Sequence, residues 1–248
     1  MLPTADHDPM GMLVRRLESI ADISLEEREA IQKLPARIRI LKSGQDIVQD
    51  GDKPSQCCLM VEGWAFRYKL VGAGHRQILS FHVPGDIPDL QSLHLHTMDH
   101  SLATLTSATV AFISHDSLRE LTDLFPKIAA VLWRHTLVDG AIFRQWIVGI
   151  GSRSAHDRVA HLFCELYLKL EAVGLAEDHR CTLPLTQIQL ADAMGISNVH
   201  INRVLKEMRS KNLISLKGSA LAIHSWDELV RIAEFDEAYL HLKKRVLR

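Results

Sequence analysis

The chain holds no run of about twenty uninterrupted apolar residues, the length a helix needs to cross a bilayer, so no membrane-spanning segment is expected. Its first residues, MLPTADHDPMGMLVRRLESI, lack the continuous apolar core behind a basic end that marks a secretory signal. A soluble, cytoplasmic protein without a membrane partner is the expectation. Cysteine is scarce, with four residues, Cys57, Cys58, Cys164 and Cys181. No C-x-x-C spacing occurs and the adjacent pair bridges with difficulty, so reduced thiols are expected. A surplus of charge is missing too: 29 cations face 30 acids, a net charge of -1. Any attraction to nucleic acid must therefore be local. What is present is bulk, since 248 residues with 47% apolar content can bury cores, and two domains fit that length better than one.

The local charge lies in PLTQIQLADAMGISNVHINRVLKEMRSKNLISLKGSALAI, residues 184–223. Thr186 can cap a short helix whose Ile188, Leu190, Ala191 and Met194 recur at helical spacing, and Gly195 ends it. Ser197 can cap a second helix from Asn198 to about Lys211, with Ile201, Val204, Leu205 and Met208 on one face. The opposite face carries Asn198, His200, Asn202, Arg203, Lys206 and Arg209, donors or cations without a carboxylate. From Thr186 to Lys217, five cations (Arg203, Lys206, Arg209, Lys211, Lys217) stand against two acids (Asp192, Glu207), a balance of plus three. Helix, Gly-containing turn and helix is the helix-turn-helix pattern, whose second helix enters the major groove. Leu213 to Leu216 and Ala220 to Ile223, joined through Lys217-Gly218-Ser219, read as a hairpin wing. A helical hairpin with a merely solvated face is the plainer alternative.

The motif LTQIQLADAMGISNVHINRVLKEMRSKNLI resembles the C-terminal signature of the Crp/Fnr transcription regulators. The resemblance implies that Ser197 and His200 lie against phosphates while Asn198, Val199, Asn202 and Arg203 face bases, Arg203 being placed to reach guanine. The expected DNA-contact set is Thr186, Gln187, Ser197, Asn198, Val199, His200, Asn202, Arg203, Lys206 and Lys217. Many members of the family carry a Glu where Val199 stands here, so their operator sequence does not transfer.

Upstream, the leucines and isoleucines of MLVRRLESIADISLEEREAIQKL fall at helical intervals, and Ser24 with Glu27 forms a capping box for a second short helix. From Arg37 the rhythm shortens into seven predicted strands: Ile38 to Leu41, Ile47 to Gln49, Cys58 to Val61, Trp64 to Leu70, Arg76 to Val83, Leu102 to Thr106 and Val110 to Ser114. Turn glycines at Gly51, Gly63, Gly72, Gly74 and Gly85 punctuate them. Strands and turns together resemble the double-stranded β-helix, a jelly-roll barrel, of cyclic-nucleotide-binding domains. That is the N-terminal half of the same family, and the resemblance covers about residues 30–225.

Pro126 opens a long helix in which Ile128, Leu132, His135, Asp139, Ile142, Trp146 and Gly149 follow a three-four spacing suited to a helix-helix seam. Gly149-Ile150-Gly151-Ser152 marks a hinge, because glycine lowers helix propensity. Ser154 caps the next helix, to about Val173, with Val159, Leu162, Phe163, Leu166 and Leu170 inward. Ser225 with Glu228 predicts a capping box for a terminal helix bearing Leu229, Ile232, Phe235, Tyr239 and Leu242 and ending in Lys243-Lys244-Arg245. The expected class is α+β: a barrel sensor domain with N-terminal helices (1–124), a dimerisation helix and hinge (125–153), and a winged helix-turn-helix domain with a C-terminal helix (154–248).

The effector is not legible. The family's nucleotide binders place Gly-Glu, and an Arg about ten residues on, in the loop after the Gly85-Asp86 turn. Here those positions hold Asp89-Leu90 and His100, and an imidazole does not replace a guanidinium against phosphate, so cyclic-nucleotide binding is not expected. His94-x-His96, with His75, His82 and His100 nearby, would put two imidazoles on one strand face, yet no Cys or acid sits at ligand spacing; neither metal nor cofactor is assigned. An iron-sulfur cluster of the Fnr kind needs N-terminal cysteines, and none precedes Cys57. Cys181 reads as an inert small apolar residue. The expectation is a non-enzymatic, homodimeric, sequence-specific DNA-binding regulator of a palindromic operator, with an unknown small-molecule or redox effector and, for an activator, RNA polymerase as a further partner. The rivals are a ligand-binding module using its helix-turn-helix for protein contacts and, more distantly, a cupin-like metal enzyme.

Overall fold

In the computed structural model, which describes residues 8–72 and 74–243, helices α1 (Pro9–Glu18) and α2 (Leu25–Gln32) precede the strands. The capping box at α2 forms as its sequence predicts: Ser24 Oγ accepts from Glu27 N at 3.2 Å, and Glu27 Oε2 accepts from Ser24 N at 2.7 Å. Seven strands follow: β1 (Arg37–Leu41), β2 (Asp46–Val48), β3 (Gln56–Glu62), β4 (Ala65–Val71), β5 (His75–His82), β6 (Ser101–Thr104) and β7 (Ala108–Ser114). They pair as two antiparallel sheets, β1-β7-β3 and β2-β6-β4-β5, so the expected barrel is an open jelly-roll. Leu41, Val48, Cys58, Met60, Leu102 and Val110 fill the space between the sheets. Gly51, Gly63, Gly74 and Gly85 adopt positive φ as their turns require; Gly72, expected to do the same, does not.

The helical half consists of α3 (His115–Leu124), α4 (Pro126–Ser152), α5 (Ala155–Ala172), α6 (Gln187–Met194), α7 (Asn198–Ser210) and α8 (Trp226–Ala233). A third sheet, in the order β10-β11-β9-β8, combines the wing strands β10 (Ile214–Lys217) and β11 (Ala220–Ile223) with a hairpin of β8 (Ala176–Glu177) and β9 (Arg180–Thr182). Three expectations are corrected. The predicted hinge 149–152 is helical, and α4 breaks only at Arg153, whose backbone is extended. No side-chain capping bond forms at Ser225, because Glu228 pairs with Arg231 instead. The terminal helix stops at Ala233, where Glu234 turns left-handed at φ 46, and a 3-10 turn at Glu237–Leu240 replaces its continuation. Of the terminal basic run, Lys243 bonds Ala21 O at 3.0 Å and Asp22, tying the tail to the N-terminal helices; Lys244 and Arg245 lie outside the described residues.

The face of α4 read as an intermolecular seam is the inward face. Ile128, Leu132, His135, Ile142 and Gly149 are buried within the chain. Its His135 faces Asp86, which is set in place by Gly85 (φ +94): a Cβ there would come within 2.9 Å of Arg16 Cβ and Met12 O. Asp86, fully buried, lies 2.9 Å from Arg16 Nε of α1, 3.1 Å from Lys169 Nζ of α5, 3.5 Å from His82 Nδ1 of β5 and 3.8 Å from His135 Nε2 of α4. Burial would raise its carboxyl, but Lys169, Arg16 and the two histidines outweigh that and hold it well below the usual carboxylate range. Beside it, Arg67 of β4 pairs with Asp139 of α4 at 2.7 Å. One carboxylate thus gathers the N-terminal helices, the jelly-roll, the long helix and the unit bearing the helix-turn-helix. Apolar packing is continuous across the same junction, from Phe66, Ile78 and Phe81 through Ile142 to Phe163, Leu205 and Met208.

Candidate nucleic-acid interface

Helix α6, like α2 and α5, begins with a capping box: Thr186 Oγ1 accepts from Gln189 N at 3.2 Å while Gln189 Oε1 accepts from Thr186 N at 2.9 Å. It ends at Gly195, left-handed at φ 63, where only glycine is unstrained. Leu190, Ala191 and Met194 are buried, whereas Ile188, matched to them by spacing, is 57% exposed. Ser197 Oγ then accepts from His200 N at 3.3 Å and starts α7. Ile201, Val204, Leu205 and Met208 anchor one face of α7 in the core, which fixes the direction of the other.

On that other face Ser197, Asn198, Val199, Asn202, Arg203 and Lys206 are exposed and His200 is half-buried; Thr186 and Gln187 are exposed at the start of α6 and Lys217 at the wing tip. No ion pair holds Arg203 or Lys206 among the described residues, while Lys211 is engaged by Glu207 at 2.7 Å. Asn202 Nδ2 donates to Asn198 O at 3.0 Å, a local bond that groove contacts can replace. Val199, between Asn198 and His200, stands 78% exposed at the helix tip, an apolar side chain in water. The wing pairs Ile214 with Ile223 and Lys217 with Ala220, and β9 joins it by pairing Cys181 with Leu221. The β8-β9 hairpin that completes this sheet escaped the sequence reading because Asp178 and His179, at φ 47 and 58, turn it without a glycine.

The loop that would bind an effector is occupied by its own side chains. Asp89 Oδ1 accepts from Cys58 N at 2.7 Å, and Ile87, Leu90 and Leu93 pack among α1, α3 and α4. Burial lifts the Asp89 carboxyl to about 7, opposed by the N–H groups of Cys58 and Asp89 and by the charge of Arg67. Arg67 itself is committed to Pro88 O and Asp139. His100 Nδ1 meets Asp99 at 2.6 Å. His94 and His96 sit exposed at the end of a 3-10 turn, Leu90–Leu93, and beyond it, so they do not share a strand face as their spacing suggested. All four cysteines are free and buried; burial pushes the Cys181 thiol up to about 11 and that of Cys164 to about 12, which suppresses thiolate chemistry.

Comparison with known proteins places both halves. Residues 157–232 match the model of the Crp-like helix-turn-helix domain, and residues 38–124 that of the cyclic nucleotide-binding domain. Among curated relatives, the transcriptional activator protein anr of Pseudomonas aeruginosa is 22% identical over 211 residues, 85% of this chain and 86% of that protein. The nitrogen fixation regulation protein FixK of Rhizobium meliloti is 25% identical over 183 residues, 74% of this chain and 80% of that protein. Among solved structures, FixK2 from Bradyrhizobium japonicum superposes with a TM-score of 0.73 at 20% identity, covering 80% of this chain and 98% of that one.

Proposed function

The chain belongs to the Crp/Fnr family of transcription regulators, and from that premise we propose that it binds a palindromic operator as a homodimer, reading bases with the tip of α7. The observation that carries this reading is the free face of α7: Asn198, Val199, Asn202 and Arg203 project outward from a helix whose other face is locked in the core. Arg203 reaches guanine by its two-pronged edge, and Val199 covers a thymine methyl, the contact that best uses an apolar side chain in the major groove. Thr186, Gln187, Ser197, His200, Lys206 and Lys217 surround this patch and serve the phosphates. The role is binding and regulation without catalysis, and residues 125–153 divide the sensor half from the DNA-binding half.

A second copy docks along the outward face of α4. Trp133, Leu137 and Ile147 are 69%, 57% and 70% exposed, and with Gly140 and Arg144 they repeat at alternating steps of four and three residues, the spacing of a coiled-coil seam. Pairing there sets two α7 helices about one turn of duplex apart, ~34 Å.

Selection of bound duplexes from a random pool tests the reading. The expected product is an inverted repeat. On the selected site, Arg203→Ala should lose about 1–3 kcal/mol and relax preference at one base pair of each half, whereas Lys206→Ala should weaken all sequences alike and lower the salt slope by about one. Unchanged DNA binding in Arg203→Ala would hand the helix-turn-helix to a protein partner.

A further inference from the structure

Where α4 ends, a cleft opens that the DNA-contact surface and the sensor loop do not use. It is a groove about half open to solvent between the end of α4, the start of α5 and the end of α6, with a cavity volume of about 20 Å³ at its base. Its apolar walls include Trp146, Ile150 and Met194, and its polar lining includes Arg153, Arg158 and His161. Those three carry a shared deficit: Arg153 Nε and Nη1, Arg158 Nε and His161 Nε2 are buried and have no hydrogen-bond partner in the protein. Buried polar atoms are almost always paired, and leaving one unpaired costs about 1–3 kcal/mol.

No described carboxylate neutralises them. Neither guanidinium has an ion-pair partner among the described residues. Glu165, one turn along α5 from His161, is taken by Trp146 Nε1 at 3.2 Å and Tyr239 OH at 2.7 Å, and Asp157 is taken by Ser154 Oγ at 2.7 Å. His161 is 5% exposed and sandwiched, with Tyr239 stacked at 5.7 Å and Phe235 edge-on at 5.0 Å, so its ring is held in one orientation. Burial, with the charge of Arg153 added, lowers its pKa to about 4, which leaves a neutral imidazole. Two fixed positive charges, one neutral ring nitrogen and apolar walls describe a receptor for an anion that also has an apolar part.

We propose that this cleft binds a small organic acid, its carboxylate held by Arg153, Arg158 and His161 and its apolar body lying against Trp146, Ile150 and Met194. Guanidinium donors suit carboxylate geometry, and at the partly buried base of the groove their bonds to it are stronger than in bulk water. The walls come from the segment joining the long helix to the DNA-binding unit and from α6 itself, so occupancy bears directly on how that unit is held.

Calorimetry on the intact protein, titrated with sodium benzoate and, separately, inorganic phosphate at matched ionic strength, tests the site without DNA and so independently of the operator reading. The expected result is one saturable benzoate site per chain, weakened about tenfold or more in both Arg153→Gln and Arg158→Gln by loss of a charged hydrogen bond, and partly restored in Arg153→Lys. Circular dichroism melts matching the parent chain show that the variants fold. Phosphate, lacking an apolar body, should bind more weakly. Absence of saturable benzoate binding, or binding indifferent to both arginines, overturns the proposal. So does phosphate binding as tight as benzoate, which would make the site one for inorganic oxyanions. Benzoate binding absent while both variants weaken binding to random-sequence duplex would assign the two arginines to the DNA backbone, and the proposal would fall.

Discussion

Asp89, at the position matched to the glycine of the family's nucleotide binders, is part of the protein's own packing. Its Oδ1 caps the Cys58 N–H at 2.7 Å, and its carboxyl titrates at about 7 because burial disfavours the charge. The folded pKa lies above the ordinary value of about 3.9, so the fold takes up a proton that the unfolded chain releases. The stability Asp89 contributes is therefore fully present below about pH 4 and is lost as pH rises through about 7. Asp89→Asn keeps the acceptor and removes the titration. Paired denaturant melts from pH 5 to pH 8 should show the variant gaining on the parent by up to about 1.4 kcal/mol per pH unit; parallel curves would place the carboxylate in water. Composition and spacing gave no sign of this, because what raises the Asp89 carboxyl is burial among elements far away in sequence, against the opposing pull of the Cys58 amide.

At the scale of elements, the readable features were those closed within one turn. The capping box of α2, the N-caps Ser154 and Thr186 and the glycine stop at Gly195 each join residues no more than a few positions apart, and their chemistry sits in the local string. The orientation of α4 was not readable. Both of its faces carry apolar residues at helical spacing; the polar Asp139 pairs with Arg67 and His135 faces Asp86 at 3.8 Å, both from the jelly-roll. Those partners are distant in sequence, so the inward face looked like the outward one. The test follows from the corrected face: Leu137→Glu places a carboxylate in the middle of the exposed stripe without touching the core. Light scattering should report a monomer whose circular dichroism is unchanged and whose operator affinity falls by at least about tenfold. A dimer of parental strength would put the contact elsewhere.

For the molecule as a whole, the DNA-binding unit leans on the jelly-roll. Arg76 of β5 grips Asp192 of α6 with Nε at 2.9 Å and Nη2 at 2.7 Å, and Gln77 Nε2 donates to Asp192 O at 2.8 Å. Both charged side chains keep some solvent access, so the pair is worth on the order of 1 kcal/mol. In Asp192→Asn the amides of α6 should exchange about fivefold faster while those of β3 and β7 hold their protection. Equal acceleration in both would mean global loosening in place of local release.

The junction at Asp86 has a longer reach than any of these contacts. Arg16 and Lys169 come from separate stretches of chain and share one buried acid, so replacing the acid leaves two buried cations without a counter-charge, and replacing either cation leaves the acid under-compensated. A change at Asp86, Arg16 or Lys169 alone therefore leaves a buried charge stranded between the reading head and its barrel, so a replacement that spares the fold has to alter acid and cations in concert.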